Sequence, residues 1–356
     1  MTRRAGLIVL LVSVVLAVLL AWVLRTPPEG AGHLAPAKGQ ESGGLTARGV
    51  VPPAAKPAAV RGGRLKGSLA LPEGYEVTIS AVDLAEVLDP TPRREDIAPL
   101  DAPQSVGGDS PDAPKDDETV IGVVVDGVAR AYPFSVLDYH WAVNDVVDGR
   151  RVLVVWDPIA GAAAVYEGSI DGRAVEAGAS GKWYRANALF HDRESTSLFP
   201  AITGRFLTGP LTGRALHPIP FRRETWRAWR ERHEATRVVT GGPAAGGAPA
   251  AFGSDEQAWA TLLANASDSQ PALPLQEWVI GFIDPIGKPT CCVIKELPED
   301  EPLRLGRASV ERQPDGGARV TLSGGMWPQQ TVCRFYPWAS LYPDTEVWPQ
   351  ERKDAN

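Results

Sequence analysis

Short β-branched runs separated by Asp-Gly pairs recur along the middle of this chain, and no other feature restricts its fold as strongly. Residues 120–125 run into Asp126-Gly127 and return through 128–132; Asp145-Val146-Val147 runs into Asp148-Gly149 and returns at 152–156. Residues 163–166 lead through Ser169-Ile170 into Asp171-Gly172. An Asp-Gly pair supplies the positive φ angles that a two-residue type I′ turn requires, and the twist of that turn matches the strands it joins. The spacing therefore predicts antiparallel hairpins in a meander.

A second block repeats the first. Glu118-Thr119-Val120-Ile121-Gly122-Val123 recurs as Glu277-Trp278-Val279-Ile280-Gly281-Phe282, each followed by a turn containing Gly and a return strand. Two helices are predicted. Residues 225–234 put Trp226, Trp229 and His233 on one face, and residues 254–266 open on a Ser254/Gln257 capping box with Trp259, Leu262 and Leu263 on one side. The Ala/Gly/Pro stretch 241–253 reads as a linker. The expected fold class is α+β, predominantly antiparallel β: two related β-rich lobes with a few packing helices, behind an N-terminal transmembrane helix. The lobes occupy residues 71–240 and 254–356.

That helix is residues 5–24, which carry no charge and are flanked by Arg3, Arg4 and Arg25. Twenty helical residues span about 30 Å, the hydrocarbon thickness of a bilayer. The exit, Leu20-Ala21-Trp22-Val23-Leu24-Arg25, offers no small-x-small cleavage site, so residues 1–25 read as an uncleaved signal anchor. Arg3 and Arg4 stay cytoplasmic under the positive-inside rule. The expectation is a single-pass protein of the inner (cytoplasmic) membrane with its soluble part exported, and a lipid bilayer as partner through residues 5–24. Residues 26–70 contain Pro27-Pro28, Gly43-Gly44, Pro52-Pro53 and Gly62-Gly63 without apolar periodicity, and form a disordered spacer. Its root-mean-square reach as a flexible coil is about 35–40 Å.

Composition narrows the function by exclusion. The net charge is -7, and residues 67–356 are more acidic still, with 27 Lys/Arg against 41 Asp/Glu, so nucleic acid is not an expected partner. There is no Gly-x-Gly-x-x-Gly, no phosphate loop and no Gly-x-Ser-x-Gly elbow. Three cysteines are too few for a four-thiolate zinc module; in an oxidising compartment Cys333 pairs with Cys291 or Cys292, since the neighbouring two form only a strained ring. Eleven Trp supply large apolar side chains, and any that are exposed would stack on sugars or peptides.

The densest polar cluster is Asp138-Tyr139-His140-Trp141-Ala142-Val143-Asn144-Asp145. His140 is a candidate metal ligand or general base, because imidazole titrates near neutrality; a hydrogen-bonded structural histidine is the alternative. Asn144 and Asp145 most simply supply turn hydrogen bonds.

Further blocks of the chain resemble a known family. They are Glu86-Val87-Leu88-Asp89-Pro90 with Asp96–Asp101, Val120-Ile121-Gly122-Val123 with Ala129–Pro133, and His140 with Val143-Asn144-Asp145. Gly178-Ala179-Ser180-Gly181 follows, then Tyr184 with Asn187, Asp192-Arg193-Glu194 with Thr196-Ser197-Leu198, and Thr225-Trp226 with Trp229-Arg230. In this order they resemble the bacterial envelope family DUF3179, a domain of unknown function. The resemblance covers about residues 86–240, and more weakly the chain to about 345. Members of that family carry Cys-Pro-x-Cys-Gly-Thr, which implies a thiolate metal or redox site. Here the matching stretch is Asp157-Pro158-Ile159-Ala160-Gly161-Ala162, and Ala160 has neither lone pair nor thiol.

The resemblance thus implies a divergent member with a degenerate metal or redox site. A binding or assembly component is expected, with envelope proteins or cell-wall fragments as partners and no cofactor. The candidate pocket is His140, Asn144, Asp145, Asp157, Ser180, His191 and Asp192. Two alternatives stay open. One is an enzyme that holds zinc or another divalent metal on His140, Asp157 and His191. The other is a carbohydrate or peptide binder using exposed Trp.

Overall fold

The computed structural model describes residues 69–71, 75–77, 80–88, 97–241 and 273–349, except 285, 314 and 315. The expected anchor at 5–24, nearly all of the spacer, the stretch 242–253 and the helix expected at 254–266 lie outside the described residues.

Among the described residues twenty-four strands form five sheets of three to five strands and two small ribbons. The first sheet has the order β16 (Phe221–Thr225), β6 (Thr119–Val125), β7 (Val128–Pro133), β17 (Arg237–Val239), β5 (Ser105–Gly107). The second is β10 (Ala162–Glu167), β9 (Arg150–Asp157), β8 (Ala142–Val147), β4 (Leu100–Asp101). The third is β15 (Leu198–Pro200), β14 (Asn187–Asp192), β13 (Ala177–Tyr184), β3 (Val87–Leu88). The fourth is β23 (Gln330–Arg334), β18 (Trp278–Ile283), β19 (Pro289–Val293), β24 (Glu346–Trp348). The fifth is β22 (Ala318–Leu322), β21 (Ala308–Arg312), β20 (Leu303–Leu305). The ribbons pair β1 (Leu69–Leu71) with β2 (Tyr75–Val77) and β11 (Ser169–Ile170) with β12 (Arg173–Ala174). Among the described residues there are three α-helices of seven residues each: α1 (Phe134–His140), α2 (Trp226–Arg232) and α3 (Phe335–Leu341).

The Asp-Gly hairpins form where the sequence puts them. Asp126, Asp148 and Asp171 have φ of 48°, 48° and 49°, and the glycines after them 88°, 76° and 79°. Both central residues of each turn are therefore left-handed, which only Gly and a few short polar residues adopt at low cost.

The two expected lobes do not form. Each sheet instead packs on the next, so that the sheets follow one another in a propeller-like ring of five. Ile121, Val123 and Tyr132 of the first sheet share a core with Val143, Val152, Val154 and Val165 of the second. The opposite face of the second, Leu153, Val155 and Tyr166, packs on Ala179, Trp183, Phe190 and Phe199 of the third. Tyr184, Leu189 and Leu198 of the third meet Val279, Ile283, Cys291 and Cys333 of the fourth. Ile280, Phe282 and Cys292 then meet Val310, Val320 and Leu322 of the fifth. A cleft lined by β16 and β22 closes the circuit between the fifth sheet and the first. The reason lies in the strands: side chains alternate between faces, so runs such as Val152-Leu153-Val154-Val155-Trp156, apolar at every position, must be covered on both sides. A lobe with one wet face cannot satisfy them. Three of the sheets are mixed, since β17 runs parallel to β7, β24 to β19 and β4 to β8, while the third and fifth are antiparallel throughout.

The repeated sequence blocks occupy equivalent places in two blades. β6 and β18 are each flanked by a hairpin partner and by a late strand, β16 or β23, that leads into a helix and then a parallel strand. Trp229 of α2 lies over Gly122, and Trp338 of α3 over Gly281; a Cβ on either glycine would fall 2.3 or 2.4 Å from the ring. Both indoles donate to a threonine seven residues on, Trp229 Nε1 to Thr236 Oγ1 at 2.8 Å and Trp338 Nε1 to Thr345 Oγ1 at 2.9 Å. The first helix N–H donates to Glu118 O in one unit and Glu277 O in the other, both at 2.8 Å.

The expected disulfide is also corrected. Cys291, Cys292 and Cys333 are free and buried. Cys291 and Cys333 flank the intervening strand β18, opposite Gly281 and Val279. Strands two apart are separated by about 9.5 Å, beyond the roughly 7 Å that a disulfide can span. Cys292 faces the other side of the sheet. Burial pushes the thiols of Cys291 and Cys292 up to about 12, which makes them poor nucleophiles.

Candidate functional site

Six of the seven polar residues singled out in the sequence are engaged in backbone hydrogen bonds, and Asp192 also keeps one buried oxygen, Oδ1, without a hydrogen-bond partner. α1 places His140 in its last turn, and Trp141 closes the helix in the left-handed region with its N–H on Leu137 O. His140 Nδ1 lies 2.8 Å from Ala98 O and Nε2 2.8 Å from Gly241 O. Both ring nitrogens lie against carbonyls remote in sequence, so the imidazole ties chain segments together and both nitrogens are covered by backbone.

Asn144 carries the join between the second and third sheets. Its Nδ2 donates to Ala177 O at 2.9 Å and to Asp101 Oδ1 at 2.8 Å, while its Oδ1 accepts Ala177 N–H at 2.9 Å. Asp145 is buried; it accepts the Tyr132 hydroxyl at 3.0 Å and the Val146 N–H at 2.7 Å, with Arg130 at 3.7 Å. Burial first, and the Asp145 carboxylate second, hold the Tyr132 phenol protonated well above its ordinary range.

Asp157 is wholly buried where β9 turns into β10. Oδ1 accepts N–H from Ile159 and Ala160 at 3.0 Å each, and Oδ2 accepts Ala188 N–H at 2.8 Å across to β14. Desolvation pushes its carboxyl up to about 6, against the three N–H bonds that favour the ionised form. Ala160 and Ala162 are buried beside it, and Gly161, at φ 65°, lies under the Trp278 ring, where a Cβ would come within 2.3 Å.

Ser180 sits in the irregular stretch of β13 between Ala179 and Trp183. It donates to Leu189 O at 2.5 Å and accepts Lys182 N–H at 3.1 Å, so it repairs the interrupted ladder. His191 is buried on β14 opposite Gly178, its ring close enough that a Cβ at 178 would approach Cε1 at 3.0 Å. Asp192 accepts Arg173 at 2.6 Å together with the N–H and hydroxyl of Ser195 at 2.9 and 2.6 Å.

Among the described residues no three His, Cys, Asp or Glu side chains are grouped to hold a metal ion, so the His140–Asp157–His191 triad is not assembled. No described Trp is exposed either: six are buried, and Trp278, Trp327 and Trp348 are half-buried, which removes the surface stacking platform expected of a Trp-based binder.

Further uncommitted polar groups are found in the cleft that closes the ring. Edge strands of four sheets converge on it, through Ala163, Arg222, Glu224, Arg319 and Gln330, and the half-buried Trp327 lines it as well. The space inside is about 40 Å³, room for roughly three waters. An adjoining hollow of about 310 Å³ shares Arg223 and Val332 with it and is bounded by Glu277, Trp278, Lys295 and Arg312. Arg222 has no hydrogen bond or ion pair among the described residues. Its guanidinium is lowered to about 10, by burial first and then by Arg319 and Arg232, with Glu311 opposing. These residues carried no motif in the sequence. The one local signal was charge in a strand, Arg222-Arg223-Glu224, leading into a Trp-bearing helix.

Residues 94–303, more than half of the chain, match the family described as "Protein of unknown function (DUF3179)". No curated protein and no solved structure matches the chain.

Proposed function

The chain belongs to the DUF3179 family of proteins of unknown function, and from that premise we propose a membrane-tethered, exported binding component whose ligand enters the cleft between the first and fifth sheets. The observation that carries this reading is a contrast. The imidazole and carboxyl groups best suited to catalysis, His140 and Asp157, are spent on backbone partners, while Arg222 lines an open cleft with none. Beside it Arg319 Nε and Glu224 Oε1 are buried without a hydrogen-bond partner; buried polar groups are ordinarily satisfied, so the concave site favours a ligand. Replacement of the family's second cysteine by Ala160 removes the thiolate pair and favours binding over redox work.

A thermal-shift screen of small charged and neutral envelope fragments on the full-length protein in detergent tests the cleft. A ligand that raises the Tm of the wild type and not of Trp327→Ala supports the reading; ligands that act equally on both, or none at all, sink it. The tether rests on residues 5–24. Full-length protein is expected to stay in the membrane pellet after carbonate extraction, with a C-terminal reporter active only on the exported side. Release into the supernatant contradicts it.

A further inference from the structure

Three groups in the cleft leave their hydrogen-bonding capacity unevenly spent. Arg222 offers guanidinium donors with no partner among the described residues. Arg319 gives one nitrogen to Glu311 at 2.5 Å, yet its Nε is buried with no hydrogen-bond partner. Glu224 pairs with Arg232 through Oε2, and its Oε1 is buried without a partner. With the ion-pair partners Arg232 and Glu311 counted, and apart from Arg223, whose guanidinium lies over the Phe134 and Trp156 rings, three guanidinium groups stand against two carboxylates, an excess of one positive charge, with both donors and one acceptor unsatisfied. From this juxtaposition we propose that the cleft binds a protonated phosphoryl oxyanion: Arg222 and Arg319 donate to its oxygens, and Glu224 Oε1 accepts its P–O–H proton.

The chemistry discriminates among anions. A guanidinium fork matches tetrahedral oxyanions and needs no motif loop. An unpaired carboxylate oxygen repels an anion that has no proton to give, so sulfate and phosphodiesters are disfavoured while inorganic phosphate and phosphomonoesters are accepted. Burial first, and then repulsion among Arg222, Arg232 and Arg319, lowers Arg222 and Arg232, and a bound anion relieves the repulsion. The inner space suits one phosphoryl group, and the adjoining hollow has room for an organic remainder. The inference rests on the cleft being the binding site, and adds the class of ligand.

Calorimetric titration of the full-length protein in detergent at pH 6, near the second ionisation of a phosphomonoester at about 6 and below that of inorganic phosphate, tests it. The probes are inorganic phosphate, glycerol phosphate, sulfate and glycerol. Phosphate is expected to bind at least tenfold more tightly than sulfate, and glycerol not at all. Arg222→Gln is expected to weaken phosphate at least tenfold, and Glu224→Gln to bring sulfate to within about threefold of phosphate. Circular dichroism checks folding; if Arg222→Gln unfolds, Arg222→Lys, which keeps the charge and loses the fork, is read in its place. Tighter binding of glycerol phosphate than of phosphate assigns the source to an esterified ligand, and the reverse to the free ion. No phosphate binding at 10 mM (a ceiling of about -2.7 kcal/mol), equal sulfate binding, or an unchanged affinity in the Arg222 variant overturns the proposal. A neutral fragment that binds in a Trp327-dependent way while phosphate does not overturns the oxyanion and leaves the cleft reading intact.

Discussion

Asp157 holds its proton to about pH 6 in the folded protein, against an ordinary value of 3.8, because burial penalises the charge more than three N–H bonds relieve it. Between those values the folded state binds more protons than the unfolded chain. This group's contribution is therefore most favourable below about pH 4, declines as pH rises towards 6, and is flat above. In Asp157→Asn that slope is expected to vanish, and Nδ2 faces the Ala188 N–H donor to donor, at a cost of about 1–3 kcal/mol. Urea unfolding at pH 4, 5, 6 and 7 on wild type and variant checks both; parallel pH profiles would contradict the account. His140, Asn144, Asp157 and Ser180 stood out in the sequence as chemically able residues, and they are. Residue type, however, does not reveal that Ala98, Gly241, Ala177 and Ala188, all remote in sequence, take up their lone pairs and protons.

At the scale of elements, the two strand–helix–strand units bury a Trp against a glycine of the neighbouring strand and lock it to a threonine. Gly281→Ala places a methyl 2.4 Å from the Trp338 ring and is expected to destabilise by about 1–3 kcal/mol. Thr345→Val leaves the Trp338 N–H without its acceptor and is expected to cost about 1–2 kcal/mol, as is Thr236→Val in the other unit. Chemical denaturation reads each; a change below about 0.5 kcal/mol in all three would show that the lock contributes little. Half of this repeat was legible, because Glu118–Val123 and Glu277–Phe282 are contiguous strands with matching glycines. The other half was not. β8 to β15 intervene before the first helix unit closes and only β20 to β22 before the second, so Trp229 and Trp338 share no register along the chain.

At the scale of the molecule, a shared core joins each sheet to the next from the first to the fifth, and the other face of the first sheet packs on α2. Separating the first three sheets from the last two would expose Tyr184, Leu189 and Leu198 on one side and Val279, Cys291 and Cys333 on the other. The ring is accordingly expected to unfold in a single calorimetric transition, with van't Hoff and calorimetric enthalpies equal. Two resolved transitions, or a soluble folded fragment ending at residue 240, would revive independent lobes.

Hairpins, the Thr225-capped helix and strong β character follow from the sequence alone, because Asp-Gly turns, an N-cap and β-branched runs act over a few residues, whereas α1 and α3, which have no side-chain cap, were not legible. The ring, the free cysteines and the cleft at Arg222 were decided by tertiary packing. Which face of an apolar strand is covered, and which charge is left without a partner, depends on segments far apart in the chain that meet only when the fold closes.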